Sequence, residues 1–168
     1  MSDKIILNLP ADAACIKELE AGTLVYLNGT VYTARDQAHK RIVAAIENNE
    51  KPPFELENAA IYYCGPTPAP EGKIIGSCGP TTSGRMDAYA PTLVEHGVSV
   101  MIGKGVRSAK VTESIRAHGA AYLSAIGGAA ALYQKCVTSC ELVAYPDLGC
   151  EAVYKLTVSD FPAVVTIK

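Results

Sequence analysis

Stretches of period two and of helical period alternate along this chain. From Thr23 to Ala34 the sequence TLVYLNGTVYTA holds two β-rich runs joined by Asn28-Gly29. Asn-Gly supplies the positive φ angles of a type I′ turn, so this stretch predicts a hairpin. A helical period follows from about Arg35 to Asn48, with Ala38, Ile42, Ala45 and Ile46 on one stripe. Thr33 stands where a cap would, and Asp36 falls in the first turn, where the helix dipole favours an acid. Lys51-Pro52-Pro53 breaks the pattern.

Two apolar segments, Ala59–Cys64 and Lys73–Ser77, then flank the Pro- and Gly-rich loop Gly65-Pro66-Thr67-Pro68-Ala69-Pro70. The polar cluster Cys78–Arg85 leads into a helix to about Glu95, stopped by Gly97. Pro91 either kinks that helix or marks the first turn of a later start. Val98–Ile102 reads as a short buried strand, Ser108–His118 as a helix stopped by Gly119, and Ala121–Ser124 as a strand. Gly127-Gly128 opens an Ala-rich helix to about Lys135, and Leu142–Tyr145, Ala152–Val158 and Ala163–Ile167 are β-rich. Strands at both ends around a β–α–β–α–β centre predict an α/β fold with a mixed sheet. There is no repeat or linker, so residues 1–168 read as a single domain.

Composition narrows the function classes. Apolar residues make up 49% of the 168 and charged residues 19%, which excludes a disordered chain. The formal net charge is −2, with acids and bases interspersed, so no nucleic-acid footprint is expected. No apolar run approaches the ~20 residues that span a bilayer. The start, Met1-Ser2-Asp3-Lys4, has neither the basic region nor the apolar stretch of a leader, and a cytoplasmic protein is expected. The six cysteines (Cys15, Cys64, Cys78, Cys136, Cys140, Cys150) form no CxxC pair. Without a leader they read as scattered, semi-buried thiols rather than a disulfide framework. A metal site on Cys136, Cys140 and Cys150 is the alternative.

Three polar clusters could carry chemistry. In Gly79-Pro80-Thr81-Thr82-Ser83-Gly84-Arg85-Met86-Asp87, hydroxyls, the first free amides of a helix and a guanidinium converge. That composes an anion site, and arginine adds a planar fork matched to a carboxylate. A well-capped turn would use the same residue types. In Thr33-Ala34-Arg35-Asp36-Gln37-Ala38-His39-Lys40-Arg41, Arg35 lies where a strand gives way to a helix, with His39 on the same face. A solvated first turn, with His39 a hydrogen-bonded packing residue, is the plainer alternative. Gly103-Lys104-Gly105-Val106-Arg107 places a lysine just past a strand end, where α/β sheets bind ligands. Neither a P-loop nor G-x-G-x-x-G is present, the three histidines lack zinc-ligand spacing, and there is no G-x-S-x-G. Such clusters suit a di-anionic ligand, yet they include no obvious base.

TARDQAHKR, GPTTSGRMDAY and GKGVR, in this order, resemble the β subunit of two-chain class I fumarases and the matching C-terminal domain of single-chain ones. YYCGPTPAP, SAIGGAAALY and YPDLGCEAVYKLTVSDFPAVV extend the resemblance over nearly the whole chain. It implies a swivelling β/β/α fold and a larger α subunit carrying a [4Fe–4S] cluster with one open iron position, in an α2β2 assembly. Under it Thr81, Arg85 and Lys104 are catalytic, and Arg35, Thr82, Arg85, Lys104 and Arg107 bind substrate, with no metal ligand on this chain. Thr81 is the implied base at C3, although a hydroxyl needs strong activation for that role. Gly84-Arg85-Met86-Asp87 resembles the fumarate-specific members rather than the tartrate-specific M-R-M-E pattern. The expected activity is therefore reversible hydration of fumarate to L-malate. The alternatives are an L-tartrate dehydratase β subunit and a non-catalytic dicarboxylate-binding module.

Overall fold

A computed structural model describes residues 4–168; the Met1–Asp3 start read above lies outside them. The elements run β1 (Ile5–Leu9), α1 (Ala13–Lys17), β2 (Leu24–Thr33), α2 (Asp36–Glu47) and β3 (Ala60–Tyr62). A 3₁₀ turn (Ser83–Met86), α3 (Ala90–Glu95), β4 (Val100–Gly103), α4 (Ala109–His118) and β5 (Ala121–Ser124) follow. Then come α5 (Ala130–Cys136), β6 (Val137–Ala144), a second 3₁₀ segment (Pro146–Glu151) and β7 (Val153–Ile167).

β2, β3, β4 and β5 lie parallel in that order. The 15-residue β7 runs antiparallel to β5 and also to β2, so the ring returns on itself. β1 pairs with the first half of β2, and β6 with the first half of β7. The sheet is therefore mixed and barrel-like, and the α/β expectation holds.

Period two sorts the side chains of the ring. Ala60 and Tyr62 of β3, Val100 and Ile102 of β4, and Ala121 and Leu123 of β5 face one apolar core with Leu27, Phe161 and Val165. Their neighbours Ile61, Met101 and Tyr122 face a second core, built against Ala38 and Ile42 of α2, Leu93 of α3 and Val111 and Ile115 of α4. Strands buried on both faces explain why β3 to β5 read as unbroken apolar runs.

Asn28-Gly29 is not a hairpin turn. β2 passes straight through it, flanked by β1 on one edge and β7 on the other, and the β7 register shifts between Leu27 and Gly29. Two ladders satisfy more backbone groups than a turn would, and the glycine marks a bulge instead. Gly29 has φ +116°, and a Cβ there would overlap the Leu9 carbonyl of β1. Asn28 Oδ1 accepts the Asp160 amide at 2.9 Å, which joins this bulge to the bend in β7. The two β-rich runs at the chain end are thus one bent strand.

Thr33 does not cap α2. Its hydroxyl donates to Ala152 O at 3.4 Å and accepts the Tyr154 amide at 3.0 Å. Arg35 occupies the N-cap without a side-chain cap bond. Pro91 sits in the first turn of α3, so the helix starts late rather than kinking. Ser108 caps α4 by accepting the Val111 amide, and Gly119 ends it. No helix among the described residues is long and apolar enough to cross a membrane.

Candidate functional site

The carboxyl ends of β2, β3, β4 and β5 are level, since Thr33 pairs with Tyr62, Tyr62 with Ile102, and Ile102 with Leu123. The backbone ladder continues past these ends. Ala34 N donates to Tyr62 O at 3.1 Å, Tyr63 N to Ile102 O at 2.8 Å, and Ala125 N to Gly103 O at 2.7 Å. The hydroxyl-rich segment joins this extension: Thr81 N donates to Tyr63 O at 2.7 Å and Ser83 N to Lys104 O at 2.9 Å. Thr82 forms a parallel bridge with Lys104. Two of the three sequence clusters are thereby stitched together by main chain.

Gly103 permits this closeness. A Cβ there would overlap Ser83 Oγ and press on the Tyr63 ring. Ser83 is buried and shares a 2.8 Å hydrogen bond with the Tyr122 hydroxyl, which donates to Gly105 O at 2.8 Å. Thr81 is half-buried, while Thr82 and Lys104 are exposed.

The third cluster reaches the same rim through Asp36. Arg85 Nε donates to Asp36 Oδ1 at 3.0 Å, and Arg85 Nη2 lies 3.0 Å from Oδ2 within the same ion pair. Arg35 Nε is 3.9 Å from the same carboxylate and 3.9 Å from Glu151. The stem of Arg35 runs against Gly65, where a Cβ would meet it at 2.9 Å. Arg35, Thr81, Thr82, Arg85 and Lys104 therefore gather at one end of the sheet. Asp36, noted from sequence as a first-turn acid, faces both arginines.

Two expectations change. The anion site was expected to use the free amides of a following helix, yet only a four-residue 3₁₀ turn follows directly, and Thr81, Ser83 and Arg85 donate their amides to main-chain carbonyls. Positive charge at the rim therefore comes from side chains. Arg107, expected as a substrate contact, turns inwards: its side chain is 0% exposed. Its Nε donates to Asp87 Oδ1 at 2.7 Å, and its guanidinium lies 5.2 Å from the Tyr63 ring centre and 4.9 Å from that of Tyr122.

Two buried groups behind the rim, Tyr63 and His39, stay neutral. Burial pushes the Tyr63 phenol up to about 12, and the His39 imidazole down to about 4. His39 Nδ1 lies 2.8 Å from Arg35 O, so this nitrogen carries the proton and the ring packs against Tyr63. Sequence reasoning missed Asp87, Tyr63 and Tyr122 as supports. The R-M-D spacing was the available signal for Asp87. It also missed Glu151, in the YPDLGCE run, which approaches Arg35.

The described residues do not fit a cluster. Among the described residues no three His, Cys, Asp or Glu side chains gather as a metal-ligating group. Burial pushes the thiol pKa of Cys64 well up and that of Cys78 to about 12, which disfavours the thiolates that bind iron. Cys140 and Cys150 share a cleft of about 320 Å³ with Pro66, Ile74 and Tyr154. The Cys136 thiol instead faces the Leu132 and Asp160 carbonyls, at 3.5 and 3.7 Å.

Comparison with known proteins matches the whole chain, residues 1–168, to the model for the fumarase C-terminus. The chain is 42% identical over 170 residues to fumarate hydratase 2 of Leishmania major, covering 99% of this chain and 30% of that protein. It is also 42% identical over 168 residues to the aerobic class I fumarate hydratase of Escherichia coli K12, covering 98% and 31%. The chain thus spans about a third of the length of these relatives. A Methanocaldococcus jannaschii protein provisionally named L(+)-tartrate dehydratase subunit beta is 38% identical over 158 residues, 90% of this chain and 81% of that protein.

Proposed function

The chain belongs to the fumarase C-terminus family, and we propose that it is one half of a hydro-lyase active site, the β subunit of a two-chain [4Fe–4S]-dependent enzyme that reversibly hydrates fumarate to L-malate. The observation that carries this reading is the gathering of Arg35, Arg85 and Lys104 with Thr81 and Thr82 at the carboxyl ends of parallel strands. A four-carbon diacid needs cations at both ends. Arg35 and Arg85 flank Asp36, and exposed Lys104 is bridged to Thr82 in the same hydroxyl segment.

The chemistry of this chain is electrostatic. Removing a C3 proton concentrates negative charge on the neighbouring carboxylate, and fixed cations there stabilise that charge more than the ground state. Arg85 and Lys104 take this role, with Arg35 and Thr82 fixing the substrate. Thr81 is anchored through its amide to Tyr63 O, which leaves its hydroxyl free to orient the substrate or take the proton at C3. The cluster's ligands would come from the larger α chain in an α2β2 assembly. Similarity to a β-subunit-length relative supports the two-chain arrangement and also favours a second reading, L-tartrate dehydration.

The test is anaerobic reconstitution with the cluster-bearing partner, followed by assays on fumarate, L-malate and tartrate. The isolated chain should be inert and the pair a hydratase. Arg85→Ala should then remove roughly 2–4 kcal/mol of transition-state stabilisation, read from kcat/KM. A pair with intact cluster that turned over none of the three diacids would refute the proposal.

A further inference from the structure

Arg107 is a cation with no exposed side-chain surface, which is costly unless something requires it there. Its neighbours indicate what. It donates to Asp87, whose second oxygen accepts the Ser108 amide at 2.6 Å, so the end of the hydroxyl segment is tied to the start of α4. It lies against Tyr63, whose carbonyl holds the Thr81 amide. It also lies against Tyr122, whose hydroxyl binds both Ser83 Oγ and Gly105 O. Its Nη2 is buried without a hydrogen-bond partner. The route through Asp87 ends at the start of α4, and the two routes through the tyrosines end beside Thr81, beside Thr82 and Ser83, or beside Lys104.

We propose that Arg107 is a positioning residue that fixes the hydroxyl segment and the lysine loop at the spacing the diacid requires, without touching the substrate. The proposal rests on the hydro-lyase reading of the same rim and adds to it a buried support. The physical reason is preorganisation. Thr82 and Lys104 are exposed, and one backbone bond of 2.9 Å with one bridge would leave their loops free to breathe. A planar cation held by a carboxylate and two aromatic faces has one low-energy position, so it transmits that position to both loops.

Two variants of the full-length chain test this, Arg107→Met and Arg107→Lys. By amide hydrogen exchange, the Met variant should expose the Thr81 and Ser83 amides at least about tenfold faster, with β6–β7 amides unchanged. In the reconstituted pair it should lower kcat about 100-fold while KM stays within about threefold, because misplaced cations harm the transition state most. Arg107→Lys, which keeps the charge beside Asp87, should recover at least about tenfold of that loss.

A folded Met variant with unchanged exchange at Thr81 and Ser83 overturns the proposal. So does acceleration spread evenly over the sheet, which would mark a merely structural role. A rise in KM with kcat preserved would make Arg107 a substrate contact and overturn it too. A wild-type pair inert on all three diacids would sink the hydro-lyase reading, and the exchange comparison would still decide this one.

Discussion

At the rim, Arg85 is half exposed and grips Asp36 through two 3.0 Å contacts; one layer inwards, Arg107 is enclosed and grips Asp87 through a single 2.7 Å bond. Both pairs join arginine to aspartate between neighbouring loops, and both arginines lie close in sequence to their loop's other polar residues. What differs is solvent. Water screens the outer pair and can replace either member, so Arg85 can present its remaining N–H groups to a ligand carboxylate at little cost. The inner pair has no such substitute, and breaking it strands a charge. One ion-pair chemistry thus serves ligand contact at the rim and geometry behind it.

The largest expected effect breaks the inner pair. Asp87→Ala leaves Arg107 buried without its carboxylate and should cost about 3–5 kcal/mol of stability. Urea unfolding of the isolated chain measures it through the shift in midpoint at constant slope. A loss below about 1 kcal/mol would mean that the inner pair behaves like a surface one, and the contrast would fail.

The difference between rim and inner layer also explains which parts of the site were readable from sequence. Thr82, Arg85 and Lys104 sit in loops whose glycines and prolines mark strand ends, and Arg35 sits where a strand gives way to a helix, so their placement follows from local pattern. Arg107 shares the GKGVR run with Lys104 and reads the same way, yet it points inwards. Its fate depends on Tyr63 and Tyr122, distant in sequence, and on Asp87, 20 positions earlier. Pairings of that separation leave no periodic trace. The fold shows the same division. The strand at Ala121–Ser124 and the Ser108–His118 helix with its Gly119 stop were readable because their signals are local. Asn28-Gly29 misled because a turn dipeptide becomes a bulge once β1 and β7 lie on either side, and both strands come from elsewhere in the chain.

His39 sharpens the comparison by pH. It lies in the inner layer, donating to Arg35 O, and burial, with the nearby charge of Arg107, lowers its pKa to about 4 against the hold of that carbonyl. The unfolded imidazole titrates near 6.5. Between those values the unfolded chain binds a proton that the folded chain refuses. The stability it contributes is complete above pH 6.5 and is lost as pH falls towards 4, by up to about 3 kcal/mol. His39→Asn should flatten that part of the stability–pH curve, measured by urea midpoints at pH 7 and pH 4.5. An unchanged slope would place the acid sensitivity elsewhere.

The smallest expected effect is at the rim itself. Asp36→Asn keeps volume and one acceptor while removing the charge that faces Arg85 and Arg35. Because the Arg85 side chain is 51% exposed, water takes up the released guanidinium, and the stability change should stay under about 1 kcal/mol. Set beside Asp87→Ala under identical conditions, it compares an exposed arginine's carboxylate partner with an enclosed arginine's. If Asp36→Asn cost as much as the inner variant, Arg85 would be fixed by its partner as firmly as Arg107. It could not then present its N–H groups to a substrate without unfolding the rim.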